Sequence, residues 1–333
     1  MTMKYCLNRS IVLSLLIFFI LIFELDAQKY FFRQYNIKEG ICHPFIYEIF
    51  QDDNGYIWLA TGEGLCRFNG FEFVKSIDNT VPSEIVSSLF KDEKNVLFIG
   101  FRNGALYELK NNKFKKLIHE TNQLSSIVGI CKIGVDEFFI VTQSDGIYLL
   151  KNNKLDKENI EVLNGKYIKQ GFLKKNLLYI VTQDKLLVFK AERQPWRLKF
   201  IEEPELLKNK NIQKIDYSKK LKKILIATEE GEIFTIDDSA DQIKFNKIIL
   251  PKTINLKALQ VFYEDSKGRL WVGTMDGNLI RLKFDNNGNI TDNVSIFNIN
   301  NGLNVKFIKT IFEDREKNIW IGSFGEGIFK LSN

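Results

Sequence analysis

Only two histidines, His43 and His119, occur in the 333 residues, and neither stands beside a recognisable nucleophile motif. The chain has no Gly-x-Ser-x-Gly elbow, no Walker loop and no His-Glu-x-x-His helix. Serine-triad, nucleotide-hydrolysing and zinc-protease chemistry therefore lack their usual carriers. No stretch of Lys and Arg is interleaved with aromatic residues as a stacking platform for nucleic acid requires. The longest apolar run, residues 11–23, has 13 members, short of the roughly 20 that cross a bilayer as a helix. Cysteine is limited to Cys6, Cys42, Cys66 and Cys131, with no zinc-site or disulfide-framework spacing. Cys66 and Cys131 fall in apolar strand patterns, where a buried thiol behaves as a small hydrophobe, with a Cys42–Cys66 bridge as the minor alternative. Nothing calls for a cofactor or a metal. Asp285-Asn286-Asn287-Gly288-Asn289 offers oxygen ligands but lacks calcium-loop spacing, and reads as a hairpin turn.

What is present in quantity is strand-forming sequence: 45% hydrophobic residues, 28 Phe and 11 Tyr, with only five Pro. Disorder is excluded. Seven segments end alike, in a large residue followed by small or apolar ones and usually a threonine. These anchors are Trp58, Phe98, Phe139, Tyr179, Leu225, Trp271 and Trp320, spaced 40, 41, 40, 46, 46 and 49 residues apart. That period suits one four-stranded blade and predicts an all-β, seven-bladed β-propeller forming a single domain over residues 28–333. The tryptophans hold a fixed place in the blade and are expected in the core between blades. The run Lys219-Lys220-Leu221-Lys222-Lys223 falls where blade five turns between its first two strands, and reads as a solvated turn.

The clearest copies read Asp52-Asp53-Asn54-Gly55-Tyr56-Ile57-Trp58, Asp265-Ser266-Lys267-Gly268-Arg269-Leu270-Trp271 and Asp314-Arg315-Glu316-Lys317-Asn318-Ile319-Trp320. Each is a tight hairpin, Asp accepting local backbone hydrogen bonds and Gly or Asn taking the positive φ. Next turns follow at Thr61-Gly62-Glu63-Gly64, Thr274-Met275-Asp276-Gly277 and Ser323-Phe324-Gly325-Glu326-Gly327. These residues resemble the two-component regulator propeller repeat, most specifically in blades one, six and seven. The resemblance implies the periplasmic sensing part of hybrid histidine-kinase-type receptors that regulate polysaccharide use. It also implies a membrane signalling partner, since this chain carries no kinase.

Lys4 and Arg9, the apolar run and Leu25-Asp26-Ala27 before Gln28 form a secretory signal over residues 1–27. A periplasmic or secreted location follows, with no membrane span after cleavage; an uncleaved N-terminal anchor is the minor alternative. The last blade ends at Leu331 after three strands, while residues 30–35 are an aromatic strand without a partner. The N-terminal strand is therefore expected to be the outer strand of blade seven, removing the open edge.

Propeller ligands usually meet one mouth of the central channel. The turns between second and third strands nominate Glu63, Arg102, Asn103, Gln143, Asp145, Gln183, Asp184, Glu229, Asp276, Phe324 and Glu326; the loop leading into blade one adds His43 and Phe45. Mixed amides, acids and one Arg suit a small polar ligand such as an oligosaccharide. The favoured reading is a non-catalytic sensor or binding module. A structural protein–protein interaction platform is the alternative, and a propeller lyase or hydrolase stands third.

Overall fold

In the computed structural model, the described residues are 30–75, 84–111, 113–118, 124–193, 195–237 and 243–332. Residues 1–27, assigned to the signal peptide, and His119 lie outside them. Phe32–Asn333 is one compact unit. It folds into seven four-stranded antiparallel sheets, a seven-bladed β-propeller with no α-helix among the described residues.

Blade one runs from the channel outward as β2 (Ile46–Gln51), β3 (Ile57–Thr61), β4 (Gly64–Phe68) and β5 (Phe73–Lys75). Blades two to six repeat it from innermost strands β6 (Val86–Lys91), β10 (Ile127–Gly134), β14 (Ile168–Lys174), β18 (Ile212–Ser218) and β22 (Leu259–Glu264). Blade seven has β26 (Ile308–Glu313), β27 (Ile319–Ser323), β28 (Ile328–Leu331) and, on its outside, β1 (Phe32–Tyr35). β1 pairs antiparallel with β28 from Phe32↔Leu331 to Tyr35↔Ile328, so the two ends of the chain close the ring. Tyr35 is buried and lies 6.0 Å from the Trp320 ring and 5.3 Å from Phe68 of blade one.

All seven anchors sit buried on second strands, and the apolar clusters they join lie between adjacent blades. The Trp blades share a further device. Asp52, Asp265 and Asp314 each use one carboxylate oxygen to cap the turn amides, as Asp52 does for Asn54 and Tyr56. The other oxygen accepts the indole N–H six residues on, at 2.7 Å in all three blades. Blade two has Phe98, which has no N–H to give, and the same oxygen of Asp92 takes the Lys132 ammonium instead. Burial pushes the Asp92 carboxyl up, but Lys132 and the amides of Val96 and Lys94 outweigh it and hold it below its usual range.

Lys132 is one member of a ring of clips. The residue five places after each buried start of an innermost strand reaches the first turn of the preceding blade. Gln51 accepts from the Arg315 amide at 2.8 Å, Lys91 pairs with Asp53 at 3.2 Å, and Tyr217 lies under Lys174 at 3.5 Å. Glu264 accepts from Ser218, and Glu313 accepts the Ser266 amide at 2.8 Å. In blade four this position is the apolar Leu173, and Gln170 adds a second tie to the following blade, its side-chain amide bonding both backbone polar groups of Ile215 in blade five.

One expectation is corrected. Cys66 is not a free thiol but is joined to Cys42, with Cα atoms 5.9 Å apart. The loop before β2 curls back over β4, a contact between blade elements that strand alternation does not encode. Cys131 is free and buried, and burial pushes its thiol up to about 12, so it is unreactive.

Candidate functional site

Every innermost strand breaks register at the same place. The irregularities fall between Ile46 and Glu48, Val86 and Ser88, Ile127 and Gly129, Ile168 and Gln170, Ile212 and Lys214, Leu259 and Val261, and Ile308 and Thr310. The first residue of each pair is a buried aliphatic. The bulge then turns the next two positions toward the axis, which a strictly alternating strand would send to opposite faces. Fourteen residues from seven copies, Gly129 among them, thus encircle the channel.

They line a cavity of about 900 Å³. Its mouth end carries Ile85, Arg102, Gln143 and Tyr167, and it extends to Lys132, Lys174 and Lys175 where the innermost strands end. Seven cations, Arg102, Lys132, Lys169, Lys174, Lys175, Lys214 and Lys309, line it against the two carboxylates Glu48 and Asp216. Glycines shape one wall: a Cβ on Gly129 would stand 2.9 Å from the Gly171 Cα, so blades three and four approach backbone to backbone.

Burial pushes the Glu48 carboxyl up, opposed by Lys214, a backbone hydrogen bond from Leu89 and Lys309. Burial and then the like charge of Lys214 push Lys309 down, with Glu48 opposing. Lys169 is lowered by burial against the pull of Glu229 and Glu230; its ammonium bonds the Asn211 side chain and the Ile212 carbonyl.

The residues nominated from sequence separate into three groups. Arg102 and Gln143 line the cavity, Gln143 donating to the Tyr167 hydroxyl at 2.5 Å. His43, Phe45 and Phe324 form an aromatic ledge between blades one and seven. Phe45 stacks on Phe324 at 4.5 Å, and His43, Tyr47 and Phe307 pack at their edges. The His43 ring covers Gly62, where a Cβ would come within 2.4 Å, and its Nδ1 accepts the Phe45 amide at 3.1 Å.

The third group is spent locally. Asn103 accepts the Ala105 amide, Asp145 the Ser125 amide, and Asp184 and Asp276 the hydroxyls of Thr182 and Thr274. Glu63 pairs with Lys75 at 3.0 Å and Glu229 holds Asn211 and Gln213, whereas Glu326 accepts from Gln34 only through its backbone carbonyl, its carboxylate Oε2 being buried without a hydrogen-bond partner among the described residues. Gln183 is exposed on its turn. Asp285 caps its own turn through the amides of Asn287 and Asn289. Sequence reasoning missed Glu48, Lys214 and Lys309; the available signal was an aliphatic residue followed by two non-alternating positions, repeated at the head of each blade.

The family profile described as two component regulator propeller matches residues 40–63, 255–276 and 302–325. No curated protein matches the chain. Among solved structures, the chain is similar to the extracellular domain assigned to the hybrid two component system BT3049 from B. thetaiotaomicron. The identity is 19%, 91% of this chain and 42% of that one are covered, and the TM-score is 0.68. The corresponding domain of BT4673 from the same organism gives 20% identity, coverage of 91% and 39%, and a TM-score of 0.67. The chain therefore spans about two fifths of the length of these receptor domains. Virginiamycin B lyase from Staphylococcus aureus gives 14% identity, coverage of 91% and 99%, and a TM-score of 0.67. At these identities the structures share a fold. Blades one, six and seven of this propeller carry the two component regulator propeller repeat.

Proposed function

We propose that the chain is an exported, non-catalytic sensor propeller that binds a small polar ligand, such as an oligosaccharide, and passes its bound state to a membrane signalling partner. The observation that carries this reading is the channel. A cavity of about 900 Å³ lined by polar side chains from all the blades opens beside the ledge of Phe45 and Phe324. Its volume lies in the range of small-molecule sites, and exposed aromatic faces beside polar groups suit the apolar face and hydroxyls of a sugar ring.

Export is supported by the sequence of residues 1–27 and by the Cys42–Cys66 bridge, since disulfides persist in oxidising compartments. The structures assigned to two component systems are themselves extracellular domains. Against catalysis, Nδ1 of His43 is committed to the Phe45 amide.

The test is a thermal-shift screen of the purified chain against oligosaccharides. A ligand at 100 times its dissociation constant adds about 2.7 kcal/mol, which at roughly 2–4 °C per kcal/mol raises Tm by about 5 °C or more. A reproducible shift with one glycan class is expected. A folded baseline that no glycan moves would refute ligand sensing and redirect the work to periplasmic protein partners, for which the rigid ring would serve as a platform.

A further inference from the structure

Lys214 of blade five and Lys309 of blade seven project into one channel, each at a bulge that places it there. Among the described residues neither has a hydrogen-bond or ion-pair partner. Three other channel lysines are engaged: Lys132 with Asp92, Lys174 on the Tyr217 ring, and Lys169 with Asn211 and the nearby Glu229 and Glu230, while Arg102 stands exposed at the mouth. Two like charges in a confined cavity repel each other where water screens them poorly. Burial and Lys214 together push the Lys309 ammonium down. Such an arrangement costs the empty protein stability, and an anion between the two amines would relieve it.

The channel carboxylates restrict which anion fits. Glu48 feels both lysines, and Asp216 lies close enough to Glu48 to disfavour its charge, yet neither reaches an ion-pair distance from Lys214 or Lys309. They leave the lysines unneutralised by contact while penalising a second negative charge. That favours a carboxylate group, which brings one negative charge to the lysines, over phosphate, whose dianion brings two to the same point. On blade seven, Phe307 of the aromatic ledge precedes Lys309 by two residues, a rise of roughly 7 Å along an extended strand. A sugar-sized ring resting at the ledge could therefore extend an acidic group to the lysines.

We propose that the channel is a carboxylate-binding site, in which Lys214 and Lys309 together take the carboxylate of a small acidic ligand whose ring lies at the Phe45–Phe324 ledge. This rests on the ligand-binding reading above and names the chemical class of that ligand.

The experiment is calorimetric titration and thermal shift of the full chain with trigalacturonate, with maltotriose as the uncharged ring control and with inorganic phosphate. Trigalacturonate is expected to bind and raise Tm, and the double variant Lys214→Met/Lys309→Met to weaken it by about tenfold or more, since each lost charge-assisted contact is a large fraction of such an affinity. Lys309→Met alone is expected to raise the Tm of the empty protein, which shows that the variant folds and that the lysine is held there at a cost in stability. Trigalacturonate affinity unchanged in the double variant would overturn the assignment. So would phosphate binding more tightly than trigalacturonate. Binding of maltotriose with trigalacturonate silent would overturn the carboxylate site but leave the sensor reading standing. Silence of these probes and of the neutral glycan panel would overturn both.

Discussion

Replacing Tyr35 with alanine should open the ring. Tyr35 is 6% exposed and lies at the seam of the two chain ends, with Trp320 at 6.0 Å on blade seven and Phe68 and Phe73 at 5.3 and 5.6 Å on blade one. Truncating a buried aromatic costs about 3–5 kcal/mol, which corresponds to a fall in Tm of roughly 6–20 °C. Deleting residues 28–36 removes in addition the ladder from Phe32↔Leu331 to Tyr35↔Ile328 and the bond from Gln34 to the Glu326 carbonyl. At about 0.5–1.5 kcal/mol for each hydrogen bond, the combined loss is comparable with the whole stability of a typical domain, about 5–15 kcal/mol. The deletion also leaves β28 as an unpaired edge, so concentration-dependent association should accompany it. Urea denaturation and calorimetry of Tyr35→Ala, Tyr35→Phe and Phe71→Ala separate the causes. Phe71 is 96% exposed, and its variant should stay within about 0.5 kcal/mol of the parent. Tyr35→Phe keeps the ring and should lose far less than Tyr35→Ala. A Tyr35→Ala protein as stable as Phe71→Ala would show that the seam does not hold the ring shut, and the closure argument would fail.

The Trp–Asp couple predicts a coupling of about 1–3 kcal/mol in a double-mutant cycle of Asp314→Asn and Trp320→Phe, because Asn would turn an amide donor toward a buried indole donor; additivity within about 0.5 kcal/mol would refute it. Replacing Cys42 and Cys66 by serine, which releases a bridge between residues 24 apart, should cost about 3 kcal/mol; a reductant should lower the parent Tm alike and leave the variant unmoved. Lys132→Met should destabilise by about 1–3 kcal/mol at neutral pH. The folded Asp92 carboxyl is held below its usual value, so its contribution is full above the unfolded value of about 3.9 and is lost as pH falls through the folded one. The gap between parent and variant should therefore close below about pH 4; a gap constant down to pH 2 would contradict the pairing.

The ring and its closure were legible because their determinants are local or periodic. Trp58, Trp271 and Trp320 recur six residues after a turn-capping Asp, and an unpartnered aromatic strand at one end complements a three-stranded blade at the other. The wall of the channel was not legible, because a bulge changes which residues face the axis without changing composition. A reading that assumes alternation sends Tyr47 and Glu48, or Lys309 and Thr310, to opposite faces. The mouth was half legible. Turn position placed Arg102, Gln143, His43, Phe45 and Phe324 near the cavity or the ledge, but it could not foresee that Asn103, Asp184 and Asp276 would use their oxygens within their own turns, or that Asp145 would take the Ser125 amide of a neighbouring segment. Short polar side chains compete for nearby backbone and hydroxyl donors before any ligand arrives. The Cys42–Cys66 bridge depends on how a loop folds over a neighbouring strand, which no spacing specifies.

Seven copies in one chain also serve as an internal comparison. The strand-start position holds Ile46, Val86, Ile127, Ile168, Ile212, Leu259 and Ile308, all aliphatic and all buried. The next position, one step into the bulge, holds Tyr47, Ser87, Val128, Lys169, Gln213, Gln260 and Lys309. Packing between blades fixes the first set, and the Asp, Gly and Trp of the repeat fix the turns and second strands, whereas in the second set only Tyr47 and Val128 pack against the blade cores. A position that core packing leaves free in the other five blades, and that the bulge aims into a shared cavity, is where chemistry specific to this chain can be written without disturbing the ring. Lysine there is costly for the empty fold, as the lowered Lys169 and Lys309 ammonium groups show. A scaffold under no demand beyond stability would have filled those places with serine or glutamine, as blades two, five and six do.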